Sequence, residues 1–289
     1  MPELPEVETV CRGLNRLTLG QVIQGGAVLH RSTLAYPFSV DQFWQQLQGT
    51  TLEHWQRRGK YLLANLSKQG KAAGYLGVHL RMTGQLLWQM PENNPEISTK
   101  AIAPHTRLYF QFEQGQVLEF VDIRTFGRIW GLAASETPTS VISGLQKLGP
   151  EPFAPEFSAV YLQQKLKKSQ RPIKTALLDQ SLVAGLGNIY ADEVLFKCGL
   201  QPTTPVSQIS LSQWEQLHRA IITVLETAIA AGGTTFSDFR DVTGINGNYG
   251  GLAWVYGRKG EPCRVCGTVI ERIKLAGRSS HFCPHCQSL

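Results

Sequence analysis

Four of the six cysteines in this 289-residue sequence form two Cys-x-x-Cys pairs near its carboxyl end. Cys263 and Cys266 make the first pair, and Cys283 and Cys286 make the second after sixteen intervening residues. This spacing is typical of a four-cysteine zinc site, because each pair presents two thiolates from one tight turn. A closed shell of four thiolates leaves no open coordination position, so we expect one zinc ion with a structural role.

Other states of these cysteines stay open at this point. The thiols could form two disulfides or stay unliganded, and His281 and His285 lie close enough in sequence to be alternative ligands. The first residues carry two acids and no apolar run, so we expect no secretory signal and a reducing compartment, which favours zinc. A hairpin with several basic side chains suits contact with a nucleic-acid backbone. The basic residues near the pairs are Arg264, Arg272, Lys274 and Arg278.

Pro2 is the second candidate for chemistry. Its nitrogen is an unreactive amide inside a chain, but it becomes a secondary amine once Met1 is removed. A free α-amino group has an ordinary pKa of about 8, against about 10 for lysine, and a nearby helix N-terminus lowers the pKa of that amine further. Attack by this amine on an electrophilic carbon gives an iminium, which is an electron sink for a later elimination.

The elements that must position these residues are visible in the apolar pattern. Pro5 suits a first helical turn, and the apolar spacing behind it predicts an amphipathic helix over residues 5–17, directly after Pro2. Residues 21–132 are predicted to be mostly strands, with a hairpin turn at Gly115. The clearest strand segments are 60–66, 74–80, 106–112, 117–121 and 127–132.

The second half of the chain has a helical pattern. A proline-rich stretch that begins near residues 133–140 indicates a domain boundary. The predicted helices are 158–168, 173–180, 189–198 and 212–231. Two polar stretches are predicted to be loops: 90–104 at the surface, and 233–251, whose glycine, threonine and asparagine content indicates mobility.

Composition restricts the class of protein. The length suits at least two domains, and an apolar content of 42% excludes wholesale disorder. The net charge of +6 and the isoelectric point of about 9.0 favour a polyanionic partner. No apolar run is long enough for a membrane span, so we expect no membrane association.

Seven sequence blocks, which run from the first residues to the start of the cysteine pairs, resemble the bacterial formamidopyrimidine-DNA glycosylase family (the Fpg or MutM type). The blocks are Pro2-Glu3-Leu4-Pro5-Glu6-Val7-Glu8, Arg57-Arg58-Gly59-Lys60-Tyr61, His79-Leu80-Arg81-Met82-Thr83-Gly84, Asp122-Ile123-Arg124-Thr125-Phe126-Gly127, Leu178-Asp179-Gln180, Gly185-Leu186-Gly187-Asn188-Ile189-Tyr190 and Val255-Tyr256-Gly257-Arg258. With the cysteines they span essentially the whole chain. Each block alone is weak, but their common order is specific.

The resemblance implies an α+β multidomain fold. Its parts would be an N-terminal catalytic β-sandwich flanked by helices at residues 2–132, a helix–two-turns–helix domain at 133–252, and a zinc β-ribbon at 253–289. Within the second domain, residues 233–251 would be the loop that caps the lesion. This division agrees with the strand-rich, helical and cysteine-rich segments read from the sequence.

The resemblance also implies a catalytic set. Pro2 would be the Schiff-base nucleophile, and Glu3 would protonate the opening deoxyribose ring. Glu6 would support the site from the start of the first helix. Lys60 would contact phosphate and assist β-elimination, while Arg278 of the zinc ribbon would bind the phosphate at the lesion and assist δ-elimination.

Recognition in this family implies base flipping, because a stacked base hides both its edge and C1′. Met82, Arg124 and Phe126 would fill the gap as an apolar plug, a hydrogen-bond donor and a stacking ring. The family often has proline and a basic residue where this chain has Ile123 and Thr125. We expect this difference either to weaken one DNA contact or to alter the wedge loop. Further DNA-contacting positions would be His105, Arg171, Lys174 and Asn188.

The implied activity is that of a bifunctional DNA glycosylase and AP lyase of base excision repair, acting on 8-oxoguanine and formamidopyrimidines in double-stranded DNA. We expect a monomer without a nucleotide cofactor, located in a bacterial cytoplasm at the nucleoid. Two alternatives remain. An endonuclease VIII-type enzyme for oxidised pyrimidines typically has glycine where this chain has Leu4, and a non-enzymatic zinc-ribbon DNA-binding protein would need neither Pro2 nor Lys60.

Overall fold

The structure is a computed structural model that describes residues 1–90, 103–236 and 238–287. Most of the predicted loop 90–104 therefore lies outside the described residues. Internal packing divides the chain into two units. The first contains residues 1–146 and 232–247, and the second contains residues 147–231 and everything from 248 onward. No helix in the described part is long and apolar enough to cross a bilayer.

The first unit is built from two β-sheets with short helices beside them. Its helices are α1 (Leu4–Leu17), α2 (Val40–Leu47), α3 (Pro138–Val141) and α4 (Ser143–Gln146). Its strands are β1 (Ile23–Val28), β2 (Leu34–Tyr36), β3 (Thr51–Arg58), β4 (Tyr61–Lys68), β5 (Lys71–His79), β6 (Gly84–Gln89), β7 (Thr106–Phe112), β8 (Val117–Asp122) and β9 (Arg128–Ala133). The strand order is β1-β7-β8-β6 in one sheet and β2-β9-β5-β4-β3 in the other, and only the β2–β9 pairing is parallel.

One apolar core joins both sheets to α1. Val7, Val10 and Leu14 on one face of α1 are fully buried in the same cluster as Trp55 of β3 and Phe120 of β8. The amphipathic helix predicted at 5–17 is confirmed to within one residue, because three- and four-residue spacing puts these apolar side chains on one face. The predicted strands and the hairpin turn at Gly115, where φ is +83°, are also confirmed.

Helix α2 was missed, since the whole segment 21–132 was predicted to be mostly strands. Ser39 caps it by accepting a hydrogen bond from the Gln42 amide, and Phe43 and Leu47 bury one face, four residues apart. The helix is only two turns long, so the strands around it dominate any sequence window.

The second unit combines helices with a small β-ribbon. Its elements are α5 (Ala159–Leu166), α6 (Ile173–Leu177), α7 (Asn188–Lys197), α8 (Leu211–Ala230), β10 (Glu271–Leu275) and β11 (Arg278–Phe282). The four predicted helices are confirmed. Helix α6 ends earlier than predicted, because the Asp179 carboxylate accepts hydrogen bonds from the Ser181 amide and hydroxyl and so starts the turns that lead to α7.

Residues 232–247, which include most of the predicted loop 233–251, group with the sandwich in the first unit. Phe239 and Val242 are buried in the core of the first unit, and the Trp88 amide donates to the Val242 carbonyl at 2.8 Å. These two apolar side chains anchor the segment, a contact that its polar composition did not indicate.

Candidate active site and nucleic-acid interface

The amino-terminal residues form a buried acidic cluster at the start of α1. Pro2, Glu3 and Glu6 are all buried, and the carboxyls of the two glutamates are about 1% exposed. Glu3 precedes the first helical residue, and its amide donates to Oε2 of Glu6 at 2.7 Å. The helix start therefore holds the backbone next to Pro2 in one orientation.

The other carboxylate oxygen of Glu6 reaches the segment 232–247. Its Oε1 accepts a hydrogen bond from the Thr234 amide at 2.7 Å. Gly233 precedes that amide with φ +80°, and a Cβ there would lie 2.9–3.2 Å from atoms of Glu6. Glycine is thus required by both the backbone conformation and the close approach. One carboxylate ties the backbone beside Pro2 to a segment far away in sequence.

Lys60 lies in the tight turn between β3 and β4, where Gly59 has φ +56°. The lysine is about 8% exposed. Arg57 stiffens the turn, because its guanidinium donates to Glu8 at 2.9 Å and to the Gly59 carbonyl at 3.2 Å. Burial raises the pKa of Glu8, but hydrogen bonds from Arg12 and Arg57 outweigh it and leave the pKa lowered, so the ion pair persists.

His79 lies at the end of β5, edge-on to Tyr61 at a ring distance of 4.5 Å. Burial, followed by the positive charges of Arg81 and Lys60, lowers the pKa of His79 to about 3. The neutral ring accepts a hydrogen bond from the Arg81 amide at Nδ1, 3.0 Å away. Arg81 has φ +57°, so this bond holds a strained turn that leads directly to Met82.

The three predicted wedge residues are exposed on the first unit. Met82 and Phe126 are 36% and 47% exposed, so both of these large apolar side chains face solvent. The Arg124 guanidinium lies over the Phe126 ring at 4.7 Å. Ile123 is 50% exposed and Thr125 has φ +57°, so the two departures from the family pattern lie in the same short loop.

Asp122 is the residue that sequence reasoning missed. It is fully buried, and its Oδ1 accepts hydrogen bonds from the Thr83 hydroxyl and the Arg124 amide while Oδ2 accepts one from the Gly127 amide at 2.7 Å. This one side chain therefore joins the loop after Met82 to the loop of Arg124 and Phe126. An aspartate at a strand end followed closely by glycine is the signal that could have shown it.

His105 is exposed at the start of β7 and has φ +69°. Its carbonyl accepts from the Asp122 amide at 3.0 Å, and its Nδ1 lies 3.4 Å from the Arg107 guanidinium. The structure thus places His105 beside the loop that carries Arg124.

In the second unit, the three predicted DNA-contacting residues have different environments. Asn188 is the first residue of α7, after the glycine turn that Gln180 braces, and its buried Oδ1 accepts no hydrogen bond from any described residue. Arg171 is partly exposed and pairs with Asp179 at 2.9 Å. Lys174 is 1% exposed and its ammonium bonds to Asp192 and to a backbone carbonyl, so this structure does not present it to a phosphate.

The donor set of the four cysteines fits a tetrahedral zinc ion. Their sulfur atoms all lie within 4.8 Å of one another, with 3.9 Å between Cys263 and Cys286 and 3.5 Å between Cys266 and Cys283. Among the described residues, the cluster that could hold the metal contains neither His281 nor His285, and Nδ1 of His281 lies 3.2 Å from Asp192. The hairpin of β10 and β11 lies between the pairs and exposes Arg272, Lys274 and Arg278.

Comparisons with known proteins match the chain from end to end. Residues 1–129 match the formamidopyrimidine-DNA glycosylase N-terminal domain, residues 148–240 its H2TH domain, and residues 260–289 the zinc finger found in FPG and IleRS. The formamidopyrimidine-DNA glycosylase of Rippkaea orientalis is 61% identical, with 100% of each chain covered.

Two solved structures are similar over nearly the whole length. A Lactococcus lactis FPG variant in complex with DNA containing Fapy-dG has a TM-score of 0.87 and 36% identity, covering 100% of both chains. The MutM (FPG) protein of Thermus thermophilus has a TM-score of 0.83 and 39% identity, covering 99% of this chain and 98% of that one.

The buried, neutral His79 should make folding stability depend on pH. Its pKa of about 3 lies below the ordinary value of 6.5, so the unfolded chain takes up a proton as pH falls through 6.5 while the native state does not. The wild type should lose on the order of 2 kcal/mol of stability from this residue between about pH 8 and about pH 5, in urea unfolding. His79→Asn keeps a hydrogen-bond acceptor and should abolish the stability loss that His79 causes. The control His54→Asn, at an exposed position, should leave that loss unchanged. An equal pH dependence in His79→Asn and wild type would refute the assignment.

Gly233→Ala should disrupt the contact between Glu6 and Thr234. The new Cβ would crowd Glu6, and hydrogen exchange of the Thr234 amide should accelerate by roughly tenfold or more as that hydrogen bond weakens. Gly244→Ala is the matched control, since φ is +85° there and nothing lies within 4 Å. Alanine at Gly244 carries the same cost of a left-handed backbone conformation as alanine at Gly233, but its Cβ meets no neighbouring atom. Similar Thr234 exchange in both variants would show that backbone strain, not the Glu6 contact, matters.

The double replacement Cys263→Ser and Cys266→Ser should abolish zinc binding, because hydroxyls are poor ligands for a site built from thiolates. Metal analysis of purified protein should give one zinc per chain for wild type and for the control Cys198→Ser, which lies outside the cluster. Full zinc occupancy in the double variant would contradict the four-cysteine site.

Proposed function

The chain belongs to the formamidopyrimidine-DNA glycosylase family, and from this membership we propose how its own residues perform the family's reaction. It is a DNA glycosylase of base excision repair with associated AP lyase activity. The substrates implied by the family name and by the Lactococcus complex are formamidopyrimidine lesions in DNA, and 8-oxoguanine is the related oxidised purine we include.

The observation that carries the assignment of roles is the buried cluster of Pro2, Glu3 and Glu6. A nucleophile needs a fixed approach to its target carbon, and the bond from the Glu3 amide to Glu6 restrains the backbone beside Pro2. Once Met1 is removed, the Pro2 nitrogen is a secondary amine at the start of α1. The positive end of that helix favours the unprotonated form of the amine.

The first step forms a bond between the Pro2 nitrogen and C1′ of the damaged nucleotide while the glycosidic bond breaks, and the base departs with the proton that the Pro2 nitrogen loses. Glu3 donates a proton to the ring oxygen as the sugar opens, which leaves an iminium between Pro2 and C1′. Glu3 suits this role because it adjoins Pro2 and is buried.

Two eliminations follow from the iminium. Loss of a proton from C2′ expels the 3′ phosphate, and loss of a proton from C4′ in a second elimination expels the 5′ phosphate. Water then hydrolyses the iminium and releases the sugar fragment from Pro2, so the product is a one-nucleotide gap. We assign Lys60 to phosphate contact and the first elimination, since its turn is held rigid beside β4. Arg278 is assigned to the phosphate at the lesion and to the second elimination. It is exposed at the start of β11.

The exposed residues Met82, Arg124 and Phe126 are assigned to the gap left by the flipped nucleotide. Exposed apolar side chains cost free energy in water, and insertion into a base stack would offset that cost. Asn188, Arg171 and His105 are assigned to the DNA backbone, while Lys174 is reassigned below to a role inside the second unit.

The zinc ion is structural: when bound to the four cysteines it would hold the ends of the ribbon that carries Arg278. The matches to three domain families support a sandwich domain at 2–132, an H2TH domain at 133–252 and a zinc ribbon at 253–289. Internal packing instead groups the segment 232–247 with the sandwich.

One chain supplies every residue assigned here, which supports a monomer acting without a nucleotide cofactor. The bacterial relatives support a place in the cytoplasm at the nucleoid.

Borohydride trapping tests the nucleophile. Processed wild type, incubated with a duplex containing 8-oxoguanine opposite cytosine, should give a covalent adduct that peptide mapping places on Pro2. Protein that keeps Met1, and the variant Pro2→Gly, should lose roughly tenfold or more of the adduct while binding the duplex. Parallel duplexes with formamidopyrimidine and thymine glycol report lesion preference. An adduct mapped to a lysine would move the nucleophile, and absence of any adduct or released base would refute the proposal.

A further inference from the structure

Helix α7 carries two adjacent acids that are completely buried, Asp192 and Glu193. Buried carboxylates are costly unless they are paired or accept several hydrogen bonds. Asp192 binds the backbone of the zinc ribbon, and Glu193 binds the backbone of the segment that leads into the ribbon. Neither has a part in the mechanism above.

Asp192 and Lys174 bind the outer edge of strand β11. The Lys174 ammonium lies 2.6 Å from Oδ1 of Asp192 and donates to the Ser279 carbonyl at 2.6 Å. Oδ2 of Asp192 accepts from the His281 amide at 2.8 Å. The other edge of β11 is paired with β10, with Ser280 opposite Ile273.

The ion pair therefore occupies the place of a third strand. In extended backbone, the carbonyl of one residue and the amide two residues later point to the same side. The Ser279 carbonyl and the His281 amide are such a pair, and they receive a donor from Lys174 and an acceptor from Asp192. A two-stranded ribbon is marginal alone, and this edge is satisfied by charged side chains instead of water.

Glu193 binds the segment that enters the ribbon. Its carboxylate accepts hydrogen bonds from three consecutive amides, at 2.8 Å from Trp254, 3.0 Å from Val255 and 2.9 Å from Tyr256. The Tyr256 ring then contacts the His281 ring edge-on at 4.9 Å. The two anchored segments thus also touch each other.

We propose that Lys174 and Asp192 are positioning residues for Arg278, holding β11 between the zinc cysteines and the hairpin tip so that the arginine is placed for δ-elimination. The inference rests on the role proposed above for Arg278. Arg278 lies only three residues from His281 on the same strand. The zinc ion would hold one end of the ribbon, and the ion pair holds the strand nearer to its tip.

Product analysis on abasic-site DNA tests this positioning, because such DNA needs no base release. The variants are Asp192→Asn and Lys174→Met, with Arg278→Ala as the reference and the exposed Lys168→Met as the control. Asp192→Asn keeps an acceptor for the His281 amide but leaves Lys174 without its counter-ion. In single-turnover reactions, Asp192→Asn and Lys174→Met should lower the ratio of δ- to β-elimination product by roughly tenfold, as Arg278→Ala does, because a small misplacement is costly to chemistry. Zinc content and β-elimination should remain near wild type.

The outcomes separate this proposal from the function it rests on. If Arg278→Ala lowers the product ratio while Asp192→Asn and Lys174→Met, loaded with zinc, do not, the positioning role is wrong and the proposed function stands. If Arg278→Ala itself leaves the ratio unchanged, both the role of Arg278 and this inference fail.

Hydrogen exchange covers the case in which the single variants do not fold. In the unaltered zinc-loaded protein, the His281 amide faces away from β10, and its hydrogen-bond acceptor among the described residues is Asp192. Strong protection is expected, and exchange at the rate of an open strand edge would overturn the inference. The double variant Lys174→Met with Asp192→Asn should recover part of the product ratio, because no unpaired charge stays buried. A double variant no better than either single one would contradict the pairing.

Discussion

The carboxylate of Glu6 accepts hydrogen bonds from the amides of Glu3 and Thr234 in a site that excludes water. A buried carboxylate must find such donors, so its position is dictated by both partners at once. One partner lies beside Pro2, the proposed nucleophile, and the other lies in a segment more than half the chain away. The placement of Pro2 therefore depends on the sandwich core that holds α1 on one side and Phe239 and Val242 on the other.

Buried carboxylates also accept hydrogen bonds from backbone amides in other irregular segments of this protein. Asp122 binds the amides of Arg124 and Gly127 beneath the exposed wedge. Asp192 and Glu193 bind amides of the ribbon and of its approach. Loops lack the internal hydrogen bonds of helices and strands, and a buried carboxylate supplies acceptors that orient a loop at a precise angle. Reactive and recognition residues can then sit on loops without losing a defined geometry.

Charge is divided between two uses in this protein. Buried charges, such as Lys174 with Asp192 and Arg57 with Glu8, are paired and hold backbone or turns in place. Exposed charges, such as Arg272, Lys274 and Arg278, remain on the surface of the ribbon. Net charge alone does not distinguish these two uses, although only the exposed group can attract the phosphate backbone of DNA.

The sequence by itself determined the zinc ligands, the helix after Pro2, most strands and the family, because these depend on local spacing and on ordered motifs. It did not determine α2, whose two turns are shorter than the surrounding strand signal, nor the packing of 232–247, which depends on two apolar side chains in a polar segment. It did not show that Lys174 is buried, since burial of a lysine depends on a partner, Asp192, which lies eighteen residues away on another helix. The backbone amides that Glu6, Asp122 and Asp192 bind were decided only by the tertiary structure, because folding brings these amides to each carboxylate.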